Sequence, residues 1–152
     1  MKETKLKVFL SETKEPLFNI AVEDWIVSHI DSSFVSLFLW ESEPSLVLGK
    51  YQDPEILRVD AESLGSEDIA LLPRPLGGAA AYYQPGTSNF AIVGPRSEFS
   101  PRKIQKLFVE VLRQFNLDAA ISGAHDIVIG TAKIGSLSWI HREEQTLCFG
   151  KI

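Results

Sequence analysis

The chain has 152 residues, of which 45% are hydrophobic and 23% charged, and its formal net charge is −5. That length fits one domain with a sizeable core, the apolar share excludes a disordered chain, and the acidic balance argues against a nucleic-acid partner, which usually needs a basic surface. The single cysteine, Cys148, excludes an intrachain disulfide and a four-thiolate zinc site, and fits a reducing, cytoplasmic setting.

Residues 1–10 mix lysines with acids around a short apolar stretch, which is not the pattern of a signal peptide. No run approaches the roughly 18 apolar residues that a membrane span needs. A strand is expected over 6–10. A helix follows over 19–30, with Ile20, Ala21, Trp25, Ile26 and Ile30 on one stripe at about 3.6-residue spacing. Pro16 before it and Asp31-Ser32-Ser33 after it act as punctuation.

Residues 34–40, rich in aromatic and branched side chains, predict a mostly buried strand that Pro44 ends. A second strand runs over 45–48 to Gly49, a short helix over 58–64, and another strand over 69–72. The next stretch, 73–86, is unusual. Two prolines flank Arg74, a Gly-Gly-Ala-Ala-Ala run follows, then two tyrosines and Pro85-Gly86. Residues 89–93 form a buried strand. Ser100 is a candidate N-cap and Pro101 suits the first turn of a helix reaching about Gln114, with Ile104, Leu107, Phe108, Val111 and Leu112 on its apolar face. Strands over 119–122, 126–129, 133–140 and 146–149 complete the chain. Strands outnumber helices and their connections are short, so the class is α+β with a mainly antiparallel sheet.

Two segments carry potential chemistry. Gly77 and Gly78 remove side chains from a backbone, so a ligand can approach closely and amide groups can point at an anion. Arg74 just upstream can make a two-point contact to phosphate or carboxylate. A hairpin turn with a surface arginine explains the same residues, and no Walker loop is present. Lys133 lies in Gly130-Thr-Ala-Lys-Ile-Gly-Ser136, either as an edge-strand charge or as an inward cation that neutralises a buried anion. His125 and Asp126 are adjacent, and neighbours on a strand point to opposite faces, which argues against a dyad. The three histidines lack metal-ligand spacing, and no Gly-x-Ser-x-Gly elbow occurs. Trp40, Trp25 and the phenylalanines are by default core residues, although a tryptophan at a strand end can also line an apolar pocket.

In order along the chain, these segments resemble those of the lipoate–protein ligases, in the wider biotin/lipoate ligase and octanoyltransferase family. Asn19-Ile-Ala-Val-Glu-Asp24 resembles the family's Asn-Leu-Ala-x-Glu-Glu. Phe38-Leu-Trp40 and Gly49-Lys-Tyr-Gln52 resemble a strand pair ending in Gly-x-x-Gln. The loop from Arg74 to Tyr83 resembles Arg-Arg-x-x-Gly-Gly-Gly-x-Val-x-His. Asp126-Ile-Val and Lys133-Ile-Gly-Ser136 resemble Asn-Asp-Leu and Lys-hydrophobic-x-Gly.

The resemblance implies a catalytic domain related to class II aminoacyl-tRNA synthetases. It implies ATP-dependent conversion of lipoate or octanoate to acyl-AMP, with Mg2+ accompanying ATP, and transfer to a lysine of a lipoyl domain or H protein. Lys133 would be the catalytic cation. Arg74, Gly77, Gly78, Ala79, Tyr83, His125 and Asp126 would bind nucleotide and substrate, and Trp40 would help hold the dithiolane tail. Several positions depart from the family pattern: Pro73 for an arginine, Ala79 for a glycine, Tyr83 for a histidine, His125 for an asparagine, Ser136 and Ser138 for Gly and Ala, and Phe149 for a histidine. The chain also stops at Ile152, short of the family's remaining elements, which implies an incomplete domain or a separate C-terminal ligase subunit. An ATP-independent acyltransferase would keep the fold and require Cys148 as nucleophile. A non-catalytic binding or partner subunit would keep the pocket for packing alone.

Overall fold

A computed structural model describes residues 5–30, 33–97 and 99–152. The expected punctuation at Asp31 and Ser32, and part of the N-terminal stretch read above, lie outside these described residues. The elements are β1 (Lys5–Leu10), α1 (Pro16–His29), β2 (Phe34–Trp40), β3 (Ser45–Leu48), α2 (Ala61–Ser66), β4 (Ala70–Pro73), β5 (Ala81–Tyr83), β6 (Asn89–Pro95), α3 (Pro101–Gln114), β7 (Ala119–Ser122), β8 (Asp126–Ile129), β9 (Ala132–Arg142) and β10 (Gln145–Lys151). Seven strands form one sheet in the order β1-β2-β6-β10-β9-β8-β7, and β4-β3-β5 form a small one. Among the described residues only β1–β2 and β3–β4 pair in parallel, so the class is α+β with a mixed, mainly antiparallel arrangement.

The large sheet buries both faces because β2, β6 and β10 carry apolar side chains at both parities. One face packs Phe38, Trp40, Ala91, Val93, Leu147 and Phe149 against Ile20, Ile26 and Val27 of α1 and against Val47 and Tyr83 of the small sheet. The other packs Phe90, Ile92, Leu137 and Cys148 against Ile104 and Val109 of α3. Each of the Val, Leu, Ile and Phe side chains among them contributes about 1.5–3 kcal/mol on burial.

Helix α1 begins earlier than its periodicity suggests. Glu15 is the N-cap, its carboxylate accepting from the amides of Leu17 and Phe18, and this places Pro16 inside the first turn. Its stripe is also rotated from the expected one. The buried residues are Pro16, Asn19, Ile20, Glu23, Ile26 and Val27, whereas Ala21 and Trp25 are exposed. Asn19 and Glu23 occupy core positions because both have partners there. Asn19 accepts from the Ser11 hydroxyl at 2.6 Å and donates to the Thr13 carbonyl at 2.9 Å, and the partners of Glu23 are described below.

Helix α3 shows the same effect, with Gln105 taking a buried position by donating to the Ala124 carbonyl at 2.8 Å while Leu107 and Val111 are exposed. Ser100 occupies its N-cap position but makes no side-chain capping bond. The short helix α2 starts at Ala61, later than 58, because Asp60 caps it by accepting from the amides of Glu62 and Ser63. Strand β5 was not expected within the 73–86 stretch. β9 and β10 run longer than predicted.

Candidate active site

A cavity of about 350 Å3 opens where the β4–β5 loop meets the ends of β8, β9 and β10. Lys133, Arg74, Gly78, Ala79, Tyr83, His125 and Asp126 all line it. Seven of the nine residues singled out from sequence therefore meet in one place. Gly77 is next to this wall without lining it. Trp40 does not line it either. Its indole is buried in the core, edge-on to Tyr83 with ring centroids 5.4 Å apart, and its Nε1–H donates to Glu23 at 2.9 Å. Trp40 thus supports Tyr83 and Glu23 from beneath the cavity.

A β-bulge controls the placement of Lys133. Asp126 faces Ser136 and Ile127 faces Gly135, but Val128 faces Lys133, which leaves Ile134 as an extra residue. Strict alternation would put Lys133 on the sheet face opposite Ser136. The extra residue restores it to the face that carries Asp126, Ser136, Ser138, Phe149 and Lys151. There its Nζ pairs with Asp126 at 2.8 Å, with both side chains partly exposed. One carboxylate oxygen takes one of three ammonium donors, so the lysine can still meet an incoming anion.

His125 stands in the turn before β8 and lines the cavity beside Asp126, but its ring finds other partners. His125 stacks on Trp139 at 4.6 Å between centroids, and its Nδ1 lies 2.8 Å from the Leu137 carbonyl. A carbonyl oxygen only accepts, so Nδ1 carries a proton and donates.

The glycine loop is held by close backbone contact. The Arg74 amide donates to the Leu48 carbonyl at 2.7 Å and the Lys50 amide to the Leu76 carbonyl at 3.0 Å. A Cβ at Gly49 would run into the Gly78 carbonyl oxygen, so the Gly49 position and this loop are fitted to each other. Gly78 itself has φ +112°, a conformation that side chains disfavour. Ala79 and Ala80 follow as exposed residues on the cavity wall.

Behind the loop lies a buried polar network that the sequence alone did not reveal. Arg74 donates to Glu23 at 2.9 Å and to the Tyr83 hydroxyl at 2.6 Å, and its guanidinium sits 4.5 Å from the Phe149 ring centroid. The side chains of Arg74 and Glu23 are 8% and 0% exposed, so this is an ion pair removed from water. Burial raises the Glu23 carboxyl from its ordinary value, with Arg74 and the Trp40 indole pulling it back. Burial also pushes the Tyr83 phenol up to about 12, so it stays protonated. The charge of Arg74, expected to serve phosphate directly, is answered first by Glu23. The signal for this pairing was Glu23 on the buried stripe of α1, where an unpaired carboxylate would be costly.

Lys151 was also missed. It lines the cavity, donates to the Tyr82 carbonyl and lies 5.5 Å from the Tyr83 ring centroid. Cys148 is fully buried on the opposite face, and burial pushes its thiol up to about 12. That is the reverse of an activated nucleophile. Among the described residues, no group of three or more His, Cys, Asp or Glu side chains could hold a metal ion, and no helix is long and apolar enough to cross a membrane.

Comparison with known proteins gives a consistent result. The model of the lipoyl protein ligase A/B catalytic domain matches residues 15–150. A lipoate-protein ligase A of Psychrobacter cryohalolentis is 27% identical over 148 residues, which cover 97% of this chain and 43% of that protein. The chain thus spans less than half the length of that relative. A bipartite lipoate protein ligase from Thermoplasma acidophilum, solved as a system with its E2 lipoyl domain, superposes with a TM-score of 0.88 at 24% identity, covering 99% of this chain and 62% of that one. A lipoate-protein ligase A bound with ATP gives a TM-score of 0.85 at 22% identity, covering 99% and 66%.

Proposed function

Because the chain belongs to the lipoyl protein ligase A/B catalytic domain family, we propose that its Lys133 cavity activates lipoate, or the related octanoate, with MgATP for attachment to a protein lysine. In the first step a carboxylate oxygen of the acid attacks the α-phosphorus of ATP. A new P–O bond forms, the α–β anhydride bond breaks, and pyrophosphate leaves. In the second step the ε-amine of the acceptor lysine attacks the acyl carbonyl. An amide forms, AMP leaves with the electron pair of the broken C–O bond, and the amine proton passes to solvent.

The obstacle in the first step is that both reactants are anions. Two unit charges 4 Å apart repel by about 4 kcal/mol at an effective dielectric near 20. A fixed ammonium between them offsets that repulsion and the charge developing in the transition state. The pairing of the Lys133 Nζ with Asp126 at 2.8 Å, on the cavity wall, supports this role for Lys133. The observation that carries the reading is that Lys133 of β9 and Gly78 of the β4–β5 loop line one cavity. Arg74, fixed by Glu23, braces the loop from behind and carries positive charge to the same wall. Among the described residues Asp126 is the cavity's only carboxylate, and Mg2+ bound through substrate phosphates needs only one or two protein carboxylates.

The partners we propose are a lipoyl domain as acceptor and a separate ligase subunit. The relatives' names and the bipartite Thermoplasma system support this reading. The cysteine-dependent transferase has no support from Cys148, which is buried, raised in pKa and on the wrong face of the sheet.

The test is pyrophosphate release by the folded chain with MgATP and lipoate, octanoate, biotin or no acid, with and without a lipoyl domain. Release that depends on lipoate or octanoate supports the ligase. ATP binding without release under any of these conditions removes the proposed chemistry from the chain alone and leaves a chain that needs its separate ligase subunit or one that only binds.

A further inference from the structure

The cavity described above meets a second one. The neighbour, of about 270 Å3, is lined by Thr87, Gly135 and Ile152 together with Lys133, Ser136 and Lys151. Both lysines therefore border both cavities. The cross-strand register of Lys151 with Ser136, which puts them on one face, and the bulge that restores Lys133 to that face, bring two ammonium groups to one seam.

Lys151 is not a guard against edge pairing. Its strand, β10, lies inside the sheet between β6 and β9. Nor does a carboxylate account for it. Lys133 has Asp126, but among the described residues no acid lies within ion-pair distance of Lys151. What faces it is a carbonyl oxygen of Tyr82, the ring of Tyr83, and the charge of Lys133. Across the sheet on β6 stands Asn89, which is neutral and buried, with its amide atoms lacking a hydrogen-bond partner. The other charged or titratable groups of the wall are His125, Asp126 on Lys133, and Arg74, answered by Glu23.

We infer that Lys151 is a second cation of this anion site, set with Lys133 at the seam of the two cavities so that the pair holds a ligand with two adjacent anionic groups. The ligand class is a diphosphate, or a carboxylate held against a phosphate. The inference rests on the reading of the cavity as an anion site and adds to it a residue that positions the second charge. Burial and the neighbouring Lys133 lower the pKa of Lys151. A dianion relieves both penalties, one through new hydrogen bonds and the other by neutralising the repulsion. Anion binding needs the protonated amine, so affinity falls as pH rises through the lowered pKa of Lys151.

The experiment is calorimetric binding of inorganic pyrophosphate to the full chain, to Lys151→Gln and to Lys151→Arg, between about pH 7 and about pH 10. Lys151→Gln should weaken binding at least about tenfold near neutral pH, the loss of one charge-assisted hydrogen bond. Lys151→Arg should bind like the wild type at neutral pH and keep its affinity further up the pH scale, because guanidinium does not titrate there. Three results overturn the inference: no pyrophosphate binding by the wild type, binding by folded Lys151→Gln within about twofold of wild type, or identical pH profiles for wild type and Lys151→Arg. Its failure is separable from that of the ligase reading. Pyrophosphate held through Lys151 without acid-dependent turnover sinks only the ligase. Acid-dependent turnover with Lys151→Gln binding normally sinks only the role of Lys151.

Discussion

Replacing Glu23 by Gln tests whether the ion pair behind the glycine loop organises the site. In the native chain Glu23 is fully buried and accepts from Arg74 and from the Trp40 indole, each at 2.9 Å. The substitution keeps the shape but leaves the guanidinium of Arg74 with the Tyr83 hydroxyl as its principal partner. Removing one member of a buried pair costs about 3–5 kcal/mol, because the remaining charge is uncompensated. For a chain of this size that corresponds to a melting temperature lower by roughly 6–20 °C. Differential scanning calorimetry at neutral pH reads it directly. The double variant Glu23→Gln, Arg74→Met removes both charges, so its loss should be smaller than the sum of the two single losses by on the order of 2 kcal/mol. A melting point for Glu23→Gln within a degree or so of wild type, or additive single and double effects, refutes the reasoning.

Three further outcomes follow from the same geometry. Arg74→Met should destabilise the chain more at about pH 8 than at about pH 5: Arg74 pulls the raised Glu23 pKa down, so its removal lifts that pKa further, and a carboxyl with a raised native pKa loses stability as pH rises through it. Urea midpoints at the two pH values check this, and an equal deficit at both contradicts it. Gly49→Ala should cost at least about 2 kcal/mol and reduce ATP binding, since the new methyl meets the Gly78 carbonyl and displaces the loop; the readouts are thermal melting and nucleotide titration, and an unperturbed loop would appear as wild-type values in both. Cys148, with its thiol pushed up to about 12, should resist a thiol reagent at pH 8 in the native chain and react on unfolding, leaving acid-dependent pyrophosphate release intact. Rapid native labelling accompanied by loss of turnover would instead favour a cysteine transferase.

The sequence was most informative where local chemistry agrees with the fold. The strands over 34–40 and 45–48, the helix from Pro101 to Gln114, and the strands over 119–122 and 126–129 are found where their patterns place them. Its limits appear where tertiary partners override periodicity. Trp25 seemed a core residue because apolar side chains usually fill a helix stripe. Glu23 and Asn19 take that stripe instead, since Arg74 and Trp40 satisfy one and Ser11 and Thr13 the other.

The cavity's membership was legible as an ordered set of motifs, but its wiring was not. Lys133 faces Asp126 through a bulge at Ile134, and no single-residue pattern announces a register shift. Trp40 and Arg74 illustrate the same limit. Their residue types suit a ligand, and only the packing of α1 against the two sheets turns them towards Glu23. Lys151 drew no notice as one lysine near the end of the chain, until the pairing of β10 with β9 set it beside Lys133.

In the proposed reaction Lys133 activates an acid by meeting its carboxylate and the α-phosphate together. Lipoate-dependent pyrophosphate release by the wild-type chain, compared with Lys133→Ala at matched melting temperature, tests it most directly. Release is expected from the wild type, with a loss of at least about 100-fold in the variant, the scale on which removal of one transition-state charge contact is felt. Equal release from the two proteins would contradict it.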